Sequence, residues 1–123
     1  MTASTLSYED YLTRVINDGI EAAKEDYKEQ PHKARGSIAG FEACRGKSPQ
    51  ELLQVLADAR KRTMEAYMGR IETEAYWEIR CAEAEIEWVC NCVSAMLWNQ
   101  GLPTIVPPTA RAVMKAAEIL GVG

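Results

Sequence analysis

The sequence predicts an all-α protein, a small bundle of four to five helices in a single domain spanning residues 1–123. Three observations favour this fold class. Apolar residues recur at steps of three and four along most of the chain, which is the spacing of one helix face. Residues typical of helix starts precede these runs, and glycine or proline follows them. The chain is 47% hydrophobic, which is enough for one core.

The first helix is expected to begin after Ser7, because a serine N-cap is followed by acidic residues in the first turn. Its apolar residues continue to Tyr27, and Pro31 is predicted to end it. Residues 1–6 are expected to be disordered. The start carries neither the basic nor the apolar segment of a secretory leader.

A short second helix is predicted over residues 32–45, where apolar residues keep helical spacing. Gly36 and Gly40 each weaken a helix by about 1 kcal/mol relative to alanine. Together with Ser37 they form a thin surface, so we expect another backbone to approach closely there.

The strongest helix start in the chain is Ser48-Pro49-Gln50-Glu51, which combines an N-cap serine, proline at the first helical position and glutamate at the third. The third helix is predicted over about 49–68. Gly69 either turns the chain or lies within one continuous helix of about 50 residues, and complementary charges favour the turn. The apolar residues assigned to its buried face are Leu52, Leu53, Leu56, Ala59, Thr63, Met64 and Tyr67.

The fourth helix is long and glutamate-rich, over about 71–99, and with residues 49–68 it should form a central antiparallel hairpin. Complementary charges predict the register. The expected neighbours are Asp58 with Arg80, Arg60 with Glu78, and Arg62 with residues 74–76. Prolines and glycine then make residues 100–108 an extended connection, and a last helix opens at Pro108 or Thr109 and ends before Gly121.

The fourth helix carries two apolar stripes, one of which belongs to the core. The second is the candidate interface, formed by Trp77, Cys81, Ala84, Trp88 and Ala95. A helix that is apolar on two sides is either central in its own domain or shared between subunits. Because a chain this short has few other helices to cover both apolar sides, we expect the second stripe to form a homodimer interface. The alternative is that other helices of the same chain bury it.

The same helix offers a candidate carboxylate site. Glu74, Glu78 and Glu85 lie in the strip between the two stripes, whereas Glu83 and Glu87 lie on or beside the polar face. Carboxylates flanked by apolar surface lose hydration and gain pKa, as in acid/base or metal-binding sites. The favoured alternative is that Arg60, Arg62 and Arg70 neutralise them.

An enzymatic alternative comes from the stretch Glu83-Ala-Glu-Ile-Glu87 and the residues up to Leu97, about 15 positions. It resembles the second half of the metal-binding region of MazG-type nucleotide pyrophosphohydrolases, which are all-α, oligomeric and bind Mg²⁺ through glutamates. The resemblance implies metal-dependent hydrolysis of nucleotides. The chain departs from that family's Glu-x-x-Glu and Glu-x-x-Asp pairs, because its glutamates are four residues apart and no such aspartate follows.

No metal site or cofactor is otherwise predicted. Cys90 and Cys92 lie about 200° apart on a helix, so both thiols cannot reach one ion, and His32 is the only imidazole in the chain. Cysteines within helical patterns are typical of reducing compartments, and no apolar run is long enough for a membrane span. A cytoplasmic protein without membrane contact is expected.

Nucleic-acid binding is a second alternative and is disfavoured by the net charge of −4. The residues it would use are His32, Lys33, Arg35, Arg45, Lys47, Arg60, Lys61 and Arg62. The favoured hypothesis is an interaction or structural module that acts as a homodimer or binds another protein, and the question of enzymatic activity stays open.

Overall fold

The computed structural model describes residues 6–121 and contains five helices there. They are α1 (Tyr8–Asp26), α2 (Pro31–Cys44), α3 (Pro49–Met68), α4 (Thr73–Asn99) and α5 (Ala110–Leu120). The predicted all-α bundle is confirmed. The predicted disorder concerns residues 1–6, of which residues 1–5 lie outside the described range. Leu6 is described and packs against the core.

Side-chain caps begin three of the helices; those at Ser7 and Ser48 are predicted by the sequence, whereas Thr109 precedes α5 as a cap and is not its first residue. The Ser7 hydroxyl accepts a hydrogen bond from the Asp10 backbone N–H at 3.1 Å, and Thr109 caps α5 in the same way. At the start of α3, Ser48 and Glu51 exchange two hydrogen bonds of 2.8 and 3.1 Å, which is a complete capping box.

The boundary between the first two helices differs from the prediction. α1 ends at Asp26, before the proline expected to stop it, and Pro31 instead occupies the first position of α2. Proline is well accommodated there because the first N–H of a helix has no partner within the helix to lose.

The closest helix pair is α2 and α4, which make the most extensive contacts in the fold. A methyl group on Gly40 would lie 2.5 Å from the Ala82 carbonyl oxygen, and one on Gly36 would overlap the Glu78 carbonyl. The predicted thin surface of α2 is therefore covered by the backbone of α4. The helix at the centre of the bundle is α4, which packs against each of the other four.

The turn between α3 and α4 covers residues 69–72, so α4 begins at Thr73 and not at Ile71. Gly69 keeps a right-handed conformation, and Arg70 is the residue with positive φ, at 52°. The two helices run antiparallel: Tyr67 near the end of α3 contacts Tyr76 near the start of α4, and Leu52 near the start of α3 contacts Cys90 toward the end of α4.

The predicted charge register of this helix pair is wrong. Arg60 meets Glu83 and Glu87 of α4, whereas Glu78 contacts Arg35 of α2. The chain reverses over the four residues 69–72 and not at Gly69 alone. Each residue of α3 therefore faces a residue of α4 that lies closer to the C-terminus than predicted.

The core contains side chains from all five helices. Its largest fully buried residues are Tyr11, Leu12, Val15, Ile16, Phe41, Leu52, Leu56, Ile86, Val89 and Val93. The Tyr11 hydroxyl donates to the Cys92 carbonyl at 2.6 Å, which joins α1 to α4 inside the core. No helix in the described part of the chain has the length and apolar content needed to cross a bilayer.

Residues 100–109 form the non-helical connection that the prolines predict, and Ser94 fastens it to α4. The Ser94 hydroxyl is fully buried and accepts hydrogen bonds from the backbone N–H groups of Ile105 at 3.1 Å and Val106 at 3.0 Å. This anchoring sets where α5 begins, and α5 then packs on α4 through Ala112 and Ala116.

Candidate functional site

The stripe of α4 that the sequence marks as an interface is divided by the fold. Cys81 and Ala95 are buried within the chain, at 8% and 1% exposure. Trp77 is 42% exposed, Ala84 is exposed, and Trp88 is half-buried. The surface that remains open to a partner therefore consists of Trp77, Ala84 and Trp88.

Four of the five candidate carboxylates have a basic partner. On the α3 side of α4, Glu87 lies 3.1 Å from Arg60, and Glu83 lies 3.9 Å from Arg60 and 3.7 Å from Arg80. Glu83 and Glu87 are the acids that carry the resemblance to the nucleotide pyrophosphohydrolases. Because an arginine neutralises both, the geometry gives that resemblance no support.

On the α2 side, Glu78 lies 3.4 Å from the Arg35 guanidinium, and Glu74 lies 3.9 Å from the His32 ring. The five acids are thus distributed over two sides of α4. Among residues 6–121, no three metal-ligating side chains come close enough together to hold an ion.

Glu85 is the exception among these acids, because no cation of the described chain lies within ion-pair distance of it. Burial raises the pKa of its carboxyl above the usual range, and the charge of Asp26 raises it further. The Ser37 hydroxyl lies beside the carboxylate and offsets part of this rise without reaching hydrogen-bonding geometry. Ser37 is fully buried, and its hydroxyl has no hydrogen-bond partner among the described residues.

Glu85 opens into a groove of about 750 Å³ between α1, α4 and α5. Phe41 of α2 forms part of its floor, and Trp88 forms part of one wall. The residues lining it are Val15, Asp18, Gly19, Ala22, Ala23, Asp26, Tyr27, Phe41, Ala84, Glu85, Glu87, Trp88, Asn91, Thr109, Arg111, Met114, Lys115 and Glu118. The sequence did not predict this groove, because it depends on where α5 returns to the bundle.

A second exposed surface lies at the turn between α3 and α4. We call it the hairpin-end patch, and it consists of Met64, Tyr67, Met68, Ile71 and Trp77, all of which are exposed. The rings of Tyr67 and Tyr76 lie 6.5 Å apart, and Tyr76 stands edge-on to Trp77 at 5.6 Å. Aromatic contacts therefore connect the α3 and α4 parts of the patch.

The patch corrects the single buried face assigned to α3. Leu52, Leu56 and Ala59 are buried as expected, but Leu53 and Met64 are exposed, as is Tyr67. α3 carries apolar residues on two faces, and only one of them meets the core. The sequence shows both faces as helical spacing and cannot show which of them the rest of the chain covers.

The basic residues considered for nucleic-acid binding are largely engaged with acidic or aromatic side chains. Arg35 and Arg60 pair with α4 glutamates, and Arg45 contacts Glu42 at 2.6 Å. Lys33 lies 5.3 Å from the centre of the Trp77 ring, in a cation–π arrangement.

All four cysteines are free and buried. Burial raises the pKa of the Cys44 and Cys92 thiols to about 12 and that of Cys90 to about 11, and it raises the pKa of Cys81 as well. A buried thiol with a raised pKa is a poor nucleophile, so these side chains serve packing.

No protein-family model, curated protein or solved structure matches this chain.

Proposed function

We propose that this chain is a cytoplasmic protein-interaction module that acts as a homodimer, and that its two copies meet through the hairpin-end patch. The observation that carries the proposal is the exposure of this patch, where Met64, Tyr67 and Met68 are each more than 60% exposed. Contiguous large apolar side chains of this kind on a surface are typical of a docking site.

The composition of the patch fits an interface. Tyrosine, tryptophan and methionine are enriched where proteins bind each other, and aromatic anchors supply most of the binding energy there. Along the outer face of α3 the spacing alternates between four and three residues, as in helices that pair side by side. The apolar positions within α3 are Leu53, Ala57, Met64 and Tyr67; Arg60, between them, pairs with Glu83 and Glu87 of α4, and Ile71 continues the spacing into the turn.

The charges around the patch favour a second copy of the chain as the partner. Lys61, Arg62 and Arg70 supply positive charge at its edge, and Glu65 and Glu72 supply negative charge. All five are exposed, and none forms an ion pair within residues 6–121. A two-fold interface brings the same surface of both subunits together, so a rim that carries both signs can complement itself.

The mass of the particle in solution tests the proposal. Light scattering on a sizing column should give twice the 13.7 kDa chain mass for the wild type. The proposed interface buries the Met68 side chain against the second copy. Met68→Glu places a charge there and should weaken association by about thirtyfold or more. Met114→Glu is the matched control, because Met114 is also 71% exposed but lies on α5.

The two substitutions separate interface formation from a general effect of surface charge. Far-ultraviolet circular dichroism establishes that both variants remain helical. A wild type that has the mass of a single chain at about 100 µM overturns the proposal. So does equal dissociation by Met68→Glu and Met114→Glu.

A further inference from the structure

The groove between α1, α4 and α5 is lined by Asp26 and Glu85 at one end and by Lys115 with its two acidic partners, Asp18 and Glu118, at the other. Asp18 and Asp26 mark the ends along α1, and at 1.5 Å per residue they are about 12 Å apart. Glu85 lines the groove beside Asp26, and Arg111 lies over the Trp88 ring, one helical turn along α4 from Glu85. Charged groups without an ion-pair partner in the described chain, Glu85, Asp26 and Arg111, therefore line one groove.

The acidic end has carboxylates without a cation. Neither Glu85 nor Asp26 forms an ion pair with a basic side chain of the described chain, and Asp26 lies close enough for its charge to act on Glu85. Tyr27 lies near these acids. Burial raises the pKa of its hydroxyl, and the charges of Cys81, Glu85 and Asp26 raise it further. Beneath Glu85, the fully buried Ser37 hydroxyl lacks a hydrogen-bond partner within residues 6–121. A bound ammonium group would neutralise this end.

The groove has two basic residues: one is ion-paired within the chain, and the other is available to a ligand. Lys115 lies between Asp18 at 3.0 Å and Glu118 at 2.9 Å, so its charge is used within the chain. Arg111 lies over the Trp88 ring at 5.4 Å from its centre and has no acidic partner among the described residues. A guanidinium stacked in this way keeps its edge free to bind a carboxylate through two hydrogen bonds.

The floor between the two ends is apolar and built from small residues. The Phe41 ring lies directly against Gly19, where a methyl group would overlap it. Ala22 and Ala23 continue the floor toward the acidic end. Because the Phe41 ring is only 2% exposed and fills the space at Gly19, the surface open to a ligand body is formed by the exposed Ala22 and Ala84 beside Trp88.

From this arrangement we infer that the groove binds a small elongated zwitterion, with its ammonium group at Glu85 and Asp26 and its carboxylate at Arg111. The apolar body of the ligand lies over Ala22, Ala84 and Trp88. The site is separate from the hairpin-end patch, so it stands or falls independently of dimerisation.

Titration calorimetry with ω-amino acids of increasing length tests the site. Aminohexanoate and aminooctanoate should bind more tightly than aminobutanoate, whose ammonium and carboxylate groups have the shortest reach of the three. Hexylamine and hexanoate, which each carry one of the two charges, should bind at least about tenfold more weakly than aminohexanoate.

Variants assign each end of the ligand to its partner. Glu85→Gln should weaken aminooctanoate binding about tenfold or more and leave hexanoate unchanged, and Arg111→Gln should weaken it similarly and leave hexylamine unchanged. Ala22→Phe should block all of the probes by filling the floor. Glu21→Gln and Lys24→Gln, which alter an ion pair of α1 outside the groove, should have no effect.

Three results would overturn the inference. The first is the absence of binding by every ω-amino acid at about 10 mM. The second is binding that Glu85→Gln and Arg111→Gln leave unchanged. The third is hexylamine or hexanoate binding as tightly as aminohexanoate, which would mean that only one end of the groove is used.

Discussion

Replacement of Gly40 by alanine tests the close packing of α2 on α4. The new methyl group would lie 2.5 Å from the Ala82 carbonyl oxygen and 2.8 Å from the Ala82 Cα. Ordinary contact begins at 3.4 Å, so the two helices must separate by nearly an ångström. The obstacle is backbone, which cannot rotate away as a flexible side chain can.

Two opposing effects set the size of the change. Overpacking of this kind destabilises a protein by about 1–3 kcal/mol, and a backbone obstacle places Gly40→Ala near the upper end. Alanine stabilises a helix by about 1 kcal/mol relative to glycine, which acts in the other direction. The net expectation is a loss of about 2 kcal/mol, or roughly 8 °C in Tm for a domain of this size.

Equilibrium unfolding in urea, followed by circular dichroism and tryptophan fluorescence, measures this loss. Ala39→Gly is the matched control, since Ala39 is the exposed neighbour of Gly40 on the same helix. It should lose about 1 kcal/mol through helix propensity alone. If propensity governed both sites, the two variants would change stability in opposite directions. A Gly40→Ala protein as stable as the wild type would refute the packing argument.

Three further predictions concern buried polar groups, and unfolding experiments check each. Ser94→Ala should cost about 1–3 kcal/mol, because two backbone N–H groups lose their acceptor, whereas Ser37→Ala should cost less, because the Ser37 hydroxyl has no hydrogen-bond partner among the described residues. Equal effects at these two fully buried serines would contradict this account. Tyr11→Phe should cost about 1–2 kcal/mol by leaving the Cys92 carbonyl unpaired, and an unchanged urea midpoint would argue against it. Glu85→Gln should raise the free energy of unfolding at neutral pH, and this increase should disappear in acid. An increase that is the same at both pH values would show that it does not come from the charge of Glu85.

The sign of the Glu85 effect follows from proton linkage. Burial raises the pKa of this carboxyl in the folded state, so the folded protein binds the proton more tightly than the unfolded chain does. Stability therefore falls as pH rises from the unfolded pKa through the folded pKa. Below that window both states are protonated, and Glu85 and glutamine become equivalent.

Local chemistry made the helix starts predictable from the sequence. Ser7 and Ser48 each cap a helix through a hydrogen bond to a residue three positions later, so no distant contact is needed to identify them. The thin surface of α2 at Gly36 and Gly40 was predictable for a related reason, because a missing side chain limits what can pack there.

Features that depend on several helices at once could not be predicted. The exposure of Met64 and Tyr67 depends on where α2 and α5 lie, and helical spacing contains no such information. The register of α3 against α4 depended on the length of a turn whose left-handed residue is Arg70 and not the neighbouring glycine. Glu85 was among the candidate carboxylates, but its lack of a cation and its place in the groove are tertiary facts.

The four buried cysteines give this bundle native probes of its own helix interfaces. Cys81 lies near Ser37 of α2, the Cys90 thiol lies 3.7 Å from the Leu52 carbonyl of α3, and the Cys92 carbonyl accepts the Tyr11 hydroxyl of α1. A thiol reagent can reach each sulfur only when the neighbouring helix moves away. Labelling rates at single cysteines, with the others replaced by alanine, would rank the free energies at which α1, α2 and α3 separate from α4.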